Sequence, residues 1–273
     1  MKTEKIGHYL SLALLTVITL IAIFPFYMMT IMATHESQDV VTALHLLPGK
    51  NLLNNAVTVF QSGFLRFYWN SFYIAAAASA IGVLMSAMAG FALSKYKFRL
   101  RKTIFNFVIL TMMIPFGVSI VGFLIEMKTL KLSNTHVPLI VCAMCSNYGV
   151  FLLTQFMKDG FPMEIIESAR IDGAGEFRIF FTMAFPFTKS ACITLFLLIF
   201  MYSWNNFLIP LVFINKQEMY TIPLGIFALG NQYRQEYGAR MFALALATIP
   251  MLVIFAVNSK SLIRGLTAGA IKG

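Results

Sequence analysis

The sequence predicts an all-α integral membrane protein with six transmembrane helices. Three observations carry that prediction. Of 273 residues, 59% are hydrophobic and only 12% are charged, about half the charged share of a soluble domain. The apolar residues gather into six runs, close to the roughly 20 residues that a helix needs to cross the hydrocarbon core. Those six runs contain no Lys, Arg, Asp or Glu, so every cation falls in a connecting segment. The length suits one polytopic domain over residues 1–273.

The first run spans about 9–32 and is too long for a signal-peptide core, so it reads as a retained helix. A mixed segment with Pro48-Gly49 and Asn54-Asn55 leads to the second run, about 68–93. Its face of Ala75, Ala76, Ala78, Ser79, Gly82 and Ser86 suits close helix approach. A basic turn follows, from Ser94 to Lys102. The third run, about 104–125, is interrupted by Pro115 and Gly117, and the fourth covers about 136–156. The fifth, about 190–214, is interrupted by Pro210. After a polar loop, the sixth covers about 241–257 and includes Pro250.

Six spans place both termini on one side. That side, with the basic turn and the segment 157–189, carries fourteen of the 21 Lys and Arg, against seven on the other. The excess of cations marks the cytoplasmic side. The net charge of +10 therefore reflects membrane orientation, and no nucleic-acid partner is expected. Cys142 and Cys145 lie inside an apolar run with no histidine beside them and read as small buried thiols. The four histidines show no metal-ligand spacing.

The segment 157–189 carries five of the eleven acidic residues: Asp159, Glu164, Glu167, Asp172 and Glu176. Pro162 suits a first helical turn, and Glu164 and Glu167 fall toward its positive end. Ile165, Ala169 and Asp172 stack at helical spacing, and Glu167 reaches Arg170 at i+3. Gly173 and Gly175 break this helix. A second amphipathic piece presents Phe177, Phe180 and Phe181 on one face, and Pro186 ends it. A plain connector between spans would need none of this order.

Glu167-Ser168-Ala169, then Gly173, then Met183, Phe185 and Pro186 resemble the signature loop of ABC-importer permease subunits. That loop runs Glu-Ala-Ala, three residues, Gly, nine residues, Ile-x-Leu-Pro. Similar likeness to the carbohydrate-importer branch lies in Asn70-Ser71, in Ala89 to Lys95, in Met112 to Pro115, and in Phe161 to Ile165. The tail from Gly265 to Gly273 resembles that of the maltose-type second permease. Ile120-Val121-Gly122-Phe123 departs from the turn often found there, which touches cargo identity and not the class. The resemblance implies the type I ABC-importer permease fold and a multi-pass location in a prokaryotic plasma or inner membrane. It implies a second homologous permease, two ATP-binding subunits and an extracytoplasmic solute-binding protein, with membrane lipid around them. Glu164, Glu167, Ser168, Ala169, Asp172, Gly173 and Ala174 would then couple to the ATPase subunit. Thr267, Ala268 and Gly269 would touch the ATPase pair.

No Gly-x-x-x-x-Gly-Lys-Ser/Thr loop occurs, and Gly173-Ala174-Gly175 fails the dinucleotide fingerprint. The chain is thus expected to be a transport subunit and not an enzyme. It would bind no cofactor directly, with ATP and Mg²⁺ in the partner ATPase. Spans without ionisable groups count against an ion-coupled carrier. They favour an uncharged cargo, which the resemblance makes a sugar or oligosaccharide, with a glycerol-phosphate ester as the alternative. Candidate path residues are Trp204, Asn205, Asn206, Asn147 and Asn70, aromatic and amide groups able to stack on and hydrogen-bond a sugar. The same residues would serve equally to join helices.

Overall fold

A computed structural model describes residues 2–230 and 235–267. No strand forms among them; the one pairing outside helices is an isolated bridge between Gly230 and Gln235. The helices, in chain order, begin with α1 (Lys2–Met32), α2 (Ser37–Thr42), α3 (Leu52–Gln61) and α4 (Phe64–Lys95). Next come α5 (Arg101–Met112), α6 (Phe116–Thr129), α7 (Val137–Met144) and α8 (Asn147–Gly160). The polar segment forms α9 (Met163–Ile171), α10 (Glu176–Ile179), a π-turn (Phe180–Ala184) and α11 (Phe185–Phe187). The chain continues with α12 (Lys189–Trp204), α13 (Leu208–Phe213), α14 (Ile222–Phe227) and α15 (Tyr237–Thr267).

Four helices are long and apolar enough to cross a membrane: Gly7–Met32, Phe64–Lys95, Val137–Gly160 and Tyr237–Asn258. Two further candidates are bent pairs, so the count reaches six only if each pair is one span. The expected third span, 104–125, is not one straight helix. Its halves α5 and α6 meet at 107°. Pro115 caps α6 in an extended conformation (φ −60°, ψ 127°), and its missing N–H and fixed φ rule out a continuous ladder. The expected fifth span, 190–214, also breaks, and it breaks before Pro210. Asn205 donates to the Met201 carbonyl at 2.9 Å, and Asn206 Oδ1 accepts the Ile209 N–H at 3.0 Å. The Asn206 amide thus satisfies an N–H in the first turn of α13, while the Asn205 amide adds to the ladder bond that the Met201 carbonyl already accepts. Pro210 then lies in the first turn of α13, where an absent N–H costs nothing.

The connecting segments hold more structure than their composition suggests. The first includes α2 and α3, and α4 begins at Phe64, four residues before the expected start. The polar loop before α15 holds α14, with Ile222 and Leu224 buried. The tail also differs: α15 continues through Gly265 to Thr267, despite the helix cost of glycine.

The chain divides into two compact units. One takes in the residues up to Leu65 and Leu224–Pro250. There, the buried Asn55 donates to the carbonyls of Ala33 and His35 at 2.8 and 2.9 Å. Arg240 holds the carbonyls of Phe227 and Leu229 at 2.8 and 2.7 Å. These charge-assisted bonds satisfy the end of α14.

The other unit takes in Arg66–Pro223 and the residues from Met251. Its core joins α4, α7, α8, α9, α10, the π-turn and α12 through Ala87, Phe91, Ala143, Leu153, Ile166, Ile179, Phe180 and Leu195. Most of the small-residue face of α4 is used: Ala75, Ala78, Ser79, Gly82 and Ser86 are buried, while Ala76 is half-buried. Gly90 shows why small residues are needed. A Cβ there would sit 2.9 Å from the backbone of Leu153 and Thr154 on α8, closer than carbon atoms tolerate. Cys142, Cys145 and Cys192 are free thiols, and Cys145 is exposed, so only part of the buried-thiol expectation holds.

Candidate functional site

Pro162 starts α9 from an extended conformation (φ −64°, ψ 142°). The 9-residue helix seats itself by one face: Ile166 and Ala169 are buried in the core. Its C-terminus closes by two bonds, Gly173 N–H to Arg170 O at 3.0 Å and Ala174 N–H to Ala169 O at 2.9 Å. This is the closure that needs a left-handed residue after the helix. Gly173 supplies it at φ +78°, with no atom within 4 Å of the position a Cβ would take.

The result is a knuckle with Glu164, Glu167, Ser168, Asp172 and Gly173 exposed. Ala174 is half-buried. Ala169 departs from the expected contact set, because it faces inward and anchors α9. Two large apolar side chains stand out beside the acidic groups: Ile171 is 87% exposed and Phe177 is 72% exposed. The expected aromatic face is split, since Phe180 is buried while Phe177 and Phe181 are not.

The ion pair expected between Glu167 and Arg170 is replaced by another. Arg170 Nε lies 2.7 Å from Glu176 Oε1. The Tyr96 hydroxyl donates to Glu176 Oε2, and the Arg170 guanidinium lies 5.7 Å from the centre of the Tyr96 ring. Arg170 and then Tyr96 hold the Glu176 carboxyl below its usual range. Burial, with Glu176 next, pushes the Tyr96 phenol up to about 12, so it remains a donor at neutral pH. Lys95 donates to the Phe161 carbonyl at the end of α8. Residues 95 and 96, just past the second run, therefore tie α4 to both ends of α9. The sequence reading missed Tyr96. Its signal was an aromatic residue set between Lys95 and Lys97, opposite a segment rich in carboxylates.

Pro186 does not end the second piece. The helix runs on to Phe187 and turns at Thr188. Just before it, the Phe185 N–H bonds to the Phe180 carbonyl in a widened turn. Such a turn displaces the carbonyl that a proline ring would strike. The helix through Phe187 then meets α12 at 79°.

The candidate path residues do not come together. Trp204 is 2% exposed and packs edge-on to Tyr68 at 5.4 Å and stacked on Phe200 at 5.7 Å. Asn70 is buried and donates to the carbonyls of Glu218 and Tyr220 at 3.0 and 2.9 Å. Asn205 and Asn206 serve the helix break. Asn206 also lines a small cavity of about 10 Å³, which has room for about one water and none for a sugar. Asn147 alone borders a larger hollow, of about 490 Å³, with Tyr148, Tyr202 and Ser146. At the tail, Thr267 is the last helical residue of α15. Ala268 and Gly269 lie outside the described residues.

No group of three metal-ligating side chains occurs among the described residues. Residues 81–267 match the family described as binding-protein-dependent transport system inner membrane component. The chain is 30% identical to a lactose transport system permease protein of Rhizobium radiobacter, covering 98% of both chains. It is 30% identical to an arabinooligosaccharides transport system permease protein of Halalkalibacterium halodurans, over 100% of this chain and 99% of the relative. It is 32% identical to an sn-glycerol-3-phosphate transport system permease protein of Escherichia coli O1:K1 / APEC, over 90% and 91%. The fold also matches a chain from the crystal structure of a bacterial ABC transporter involved in the import of the acidic polysaccharide alginate. The TM-score is 0.80 at 19% identity, over 95% of this chain and 98% of that one. Taken with the apolar spans and the exposed knuckle between them, these matches show that the chain belongs to the binding-protein-dependent transport system inner membrane components, as a multi-pass ABC-importer permease.

Proposed function

We propose that this permease imports a sugar or oligosaccharide, driven by ATP hydrolysis in two partner subunits and fed by an extracytoplasmic solute-binding protein. Six spans, with both bent pairs counted, would leave the termini and the knuckle in the cytoplasm. The observation that carries the coupling role is the knuckle itself. Glu164, Glu167, Asp172, Ile171 and Gly173 are exposed on a helix locked from behind by Ile166, Ala169 and the Tyr96–Glu176–Arg170 contacts. A rigid, charged and apolar projection suits docking into a cleft of an ATPase subunit. Movement of that subunit would pass through α9 to α4 and α8.

The sugar reading rests on the relatives and on spans that offer no counter-charge. Asn147, with Tyr202 beside its hollow, is the path candidate best placed to meet cargo. The glycerol-phosphate relative supports a second reading, in which the partner permease supplies a cation for the phosphate.

The test is pull-down of the ATPase subunit and cargo-stimulated hydrolysis in Gly173→Asp and Glu167→Lys. Both variants should enter the membrane, because no apolar run changes, and both should lose most ATPase capture. Wild-type values in both assays would overturn the coupling role. Stimulation by glycerol 3-phosphate and not by oligosaccharides would decide for the second reading.

A further inference from the structure

The turn after α4 and the start of α5 border a groove against α8, of about 660 Å³. Lys97, Arg99, Arg101, Lys102 and Lys158 line it, and no carboxylate does. Arg101 is occupied by the Ser94 carbonyl at 3.2 Å. The other four cations have no hydrogen bond or ion pair among the described residues. All four are exposed, and together they give the concavity a positive potential that attracts an anion. Gln155, half-buried, adds an amide to the wall.

The apolar parts of the groove choose between anions. Phe98, Phe105 and Leu93 complete its lining, and Phe105 stacks on Phe151 of α8 at 6.1 Å. The groove therefore sets cations beside apolar side chains, with the exposed Phe98 and half-buried Phe105 among Lys97, Arg99 and Lys102 at the end of α4. A free anion would use the cations and not the apolar lining. A phospholipid uses both, with its phosphate among the cations and the start of its acyl chain against Phe98 and Phe105.

We infer that this groove is a binding site for an anionic phospholipid headgroup. The lipid would lock the start of α5 to α8 and neutralise the basic turn. The site does not depend on which cargo is carried, and it requires only that α4 and α5 lie in the bilayer. Each cation near an anionic headgroup is worth about 1 kcal/mol, or roughly fivefold in affinity.

The experiment exposes the assembled transporter to vesicles of phosphatidylglycerol and phosphatidylcholine and counts retained lipid by native mass spectrometry. The wild type should retain phosphatidylglycerol selectively, and less of it as salt rises. Lys102→Gln with Lys158→Gln should lower that retention about 25-fold relative to wild type, at two cations of roughly fivefold each. Lys97→Gln with Arg99→Gln, on another wall, should act similarly and keeps the test open if the first pair fails to fold. Equal retention of the two lipids by the wild type, or unchanged selectivity in a folded double variant, would overturn the site. Displacement of the lipid by inorganic phosphate at equal strength would assign the groove to a soluble anion and overturn it as well. Because ATPase capture is read separately at the knuckle, failure here leaves the transport reading standing.

Discussion

Gly90 and Glu176 show how single residues set the frame of the site. A Cβ at Gly90 would strike the α8 backbone at 2.9 Å, so Gly90→Val must push α4 and α8 apart. Overpacking of this kind costs about 1–3 kcal/mol, and the thermal midpoint of the purified protein should fall. Gly117→Ala is the matched control, because nothing lies within 4 Å there and alanine favours the helix. A variant at residue 90 as stable as the control would contradict the close packing. Glu176 is a surface case. Its carboxyl is held low by Arg170 and Tyr96, so the charged form is favoured in the folded chain. The contribution is complete above the ordinary carboxylate value and fades as pH falls through the lowered one. Both partners are more than a third exposed, at 37% and 44%, which limits the effect to about 1 kcal/mol or less. Glu176→Gln should lose a small part of the neutral-pH stability and should remove this part of the acid dependence. An identical pH profile in the variant would show that the pair contributes nothing.

At the scale of elements, the π-turn at Phe180–Ala184 carries one more residue than an α-turn would. Deleting Thr182 should close it to an α-turn and leave everything upstream nearly in phase, because the widened turn takes up the extra residue. It would return a carbonyl to the Pro186 ring, at about 3 kcal/mol, so the thermal midpoint should fall, and Pro186→Ala should restore it in the shortened chain. An undiminished midpoint in the deletion would show that the widened turn does not serve to accommodate Pro186. The elements themselves were legible where one local rule governs. The Gly173 stop and the buried face of α4 follow directly from glycine conformation and side-chain size. Pro186 and Pro210 were misread because a proline's effect depends on the turn around it, which the neighbouring carbonyls decide. The partner of Arg170 was misread for a related reason. Spacing along one helix favours Glu167, but the chain reverses at Gly173 and brings Glu176 back within 2.7 Å.

At the scale of the molecule, hydropathy gave the apolar runs and left their shape open. A run of apolar residues looks the same whether its helix is straight or bent by 107° at Pro115. The path residues were equally ambiguous. Trp204 and Asn70 carry groups that suit a sugar, and only burial reveals that neighbours already use them. The described chain offers one knuckle and no enclosed cavity of sugar size, so transport should require a second, distinct permease. Purification after co-expression with candidate partners should yield a complex containing both. A transport-active complex built on this permease alone would overturn that expectation.

One feature of α1 bears on how the protein is made. Only 6% of its apolar window is buried against the rest of the chain. A helix that needs no later segment for its own stability can leave the translocation channel for lipid as soon as it emerges from the ribosome. Its orientation can then be set by the charges that flank it, before α4 exists. The charge around Lys2 and Lys5 therefore bears on the orientation of α1 itself, ahead of any packing against later helices.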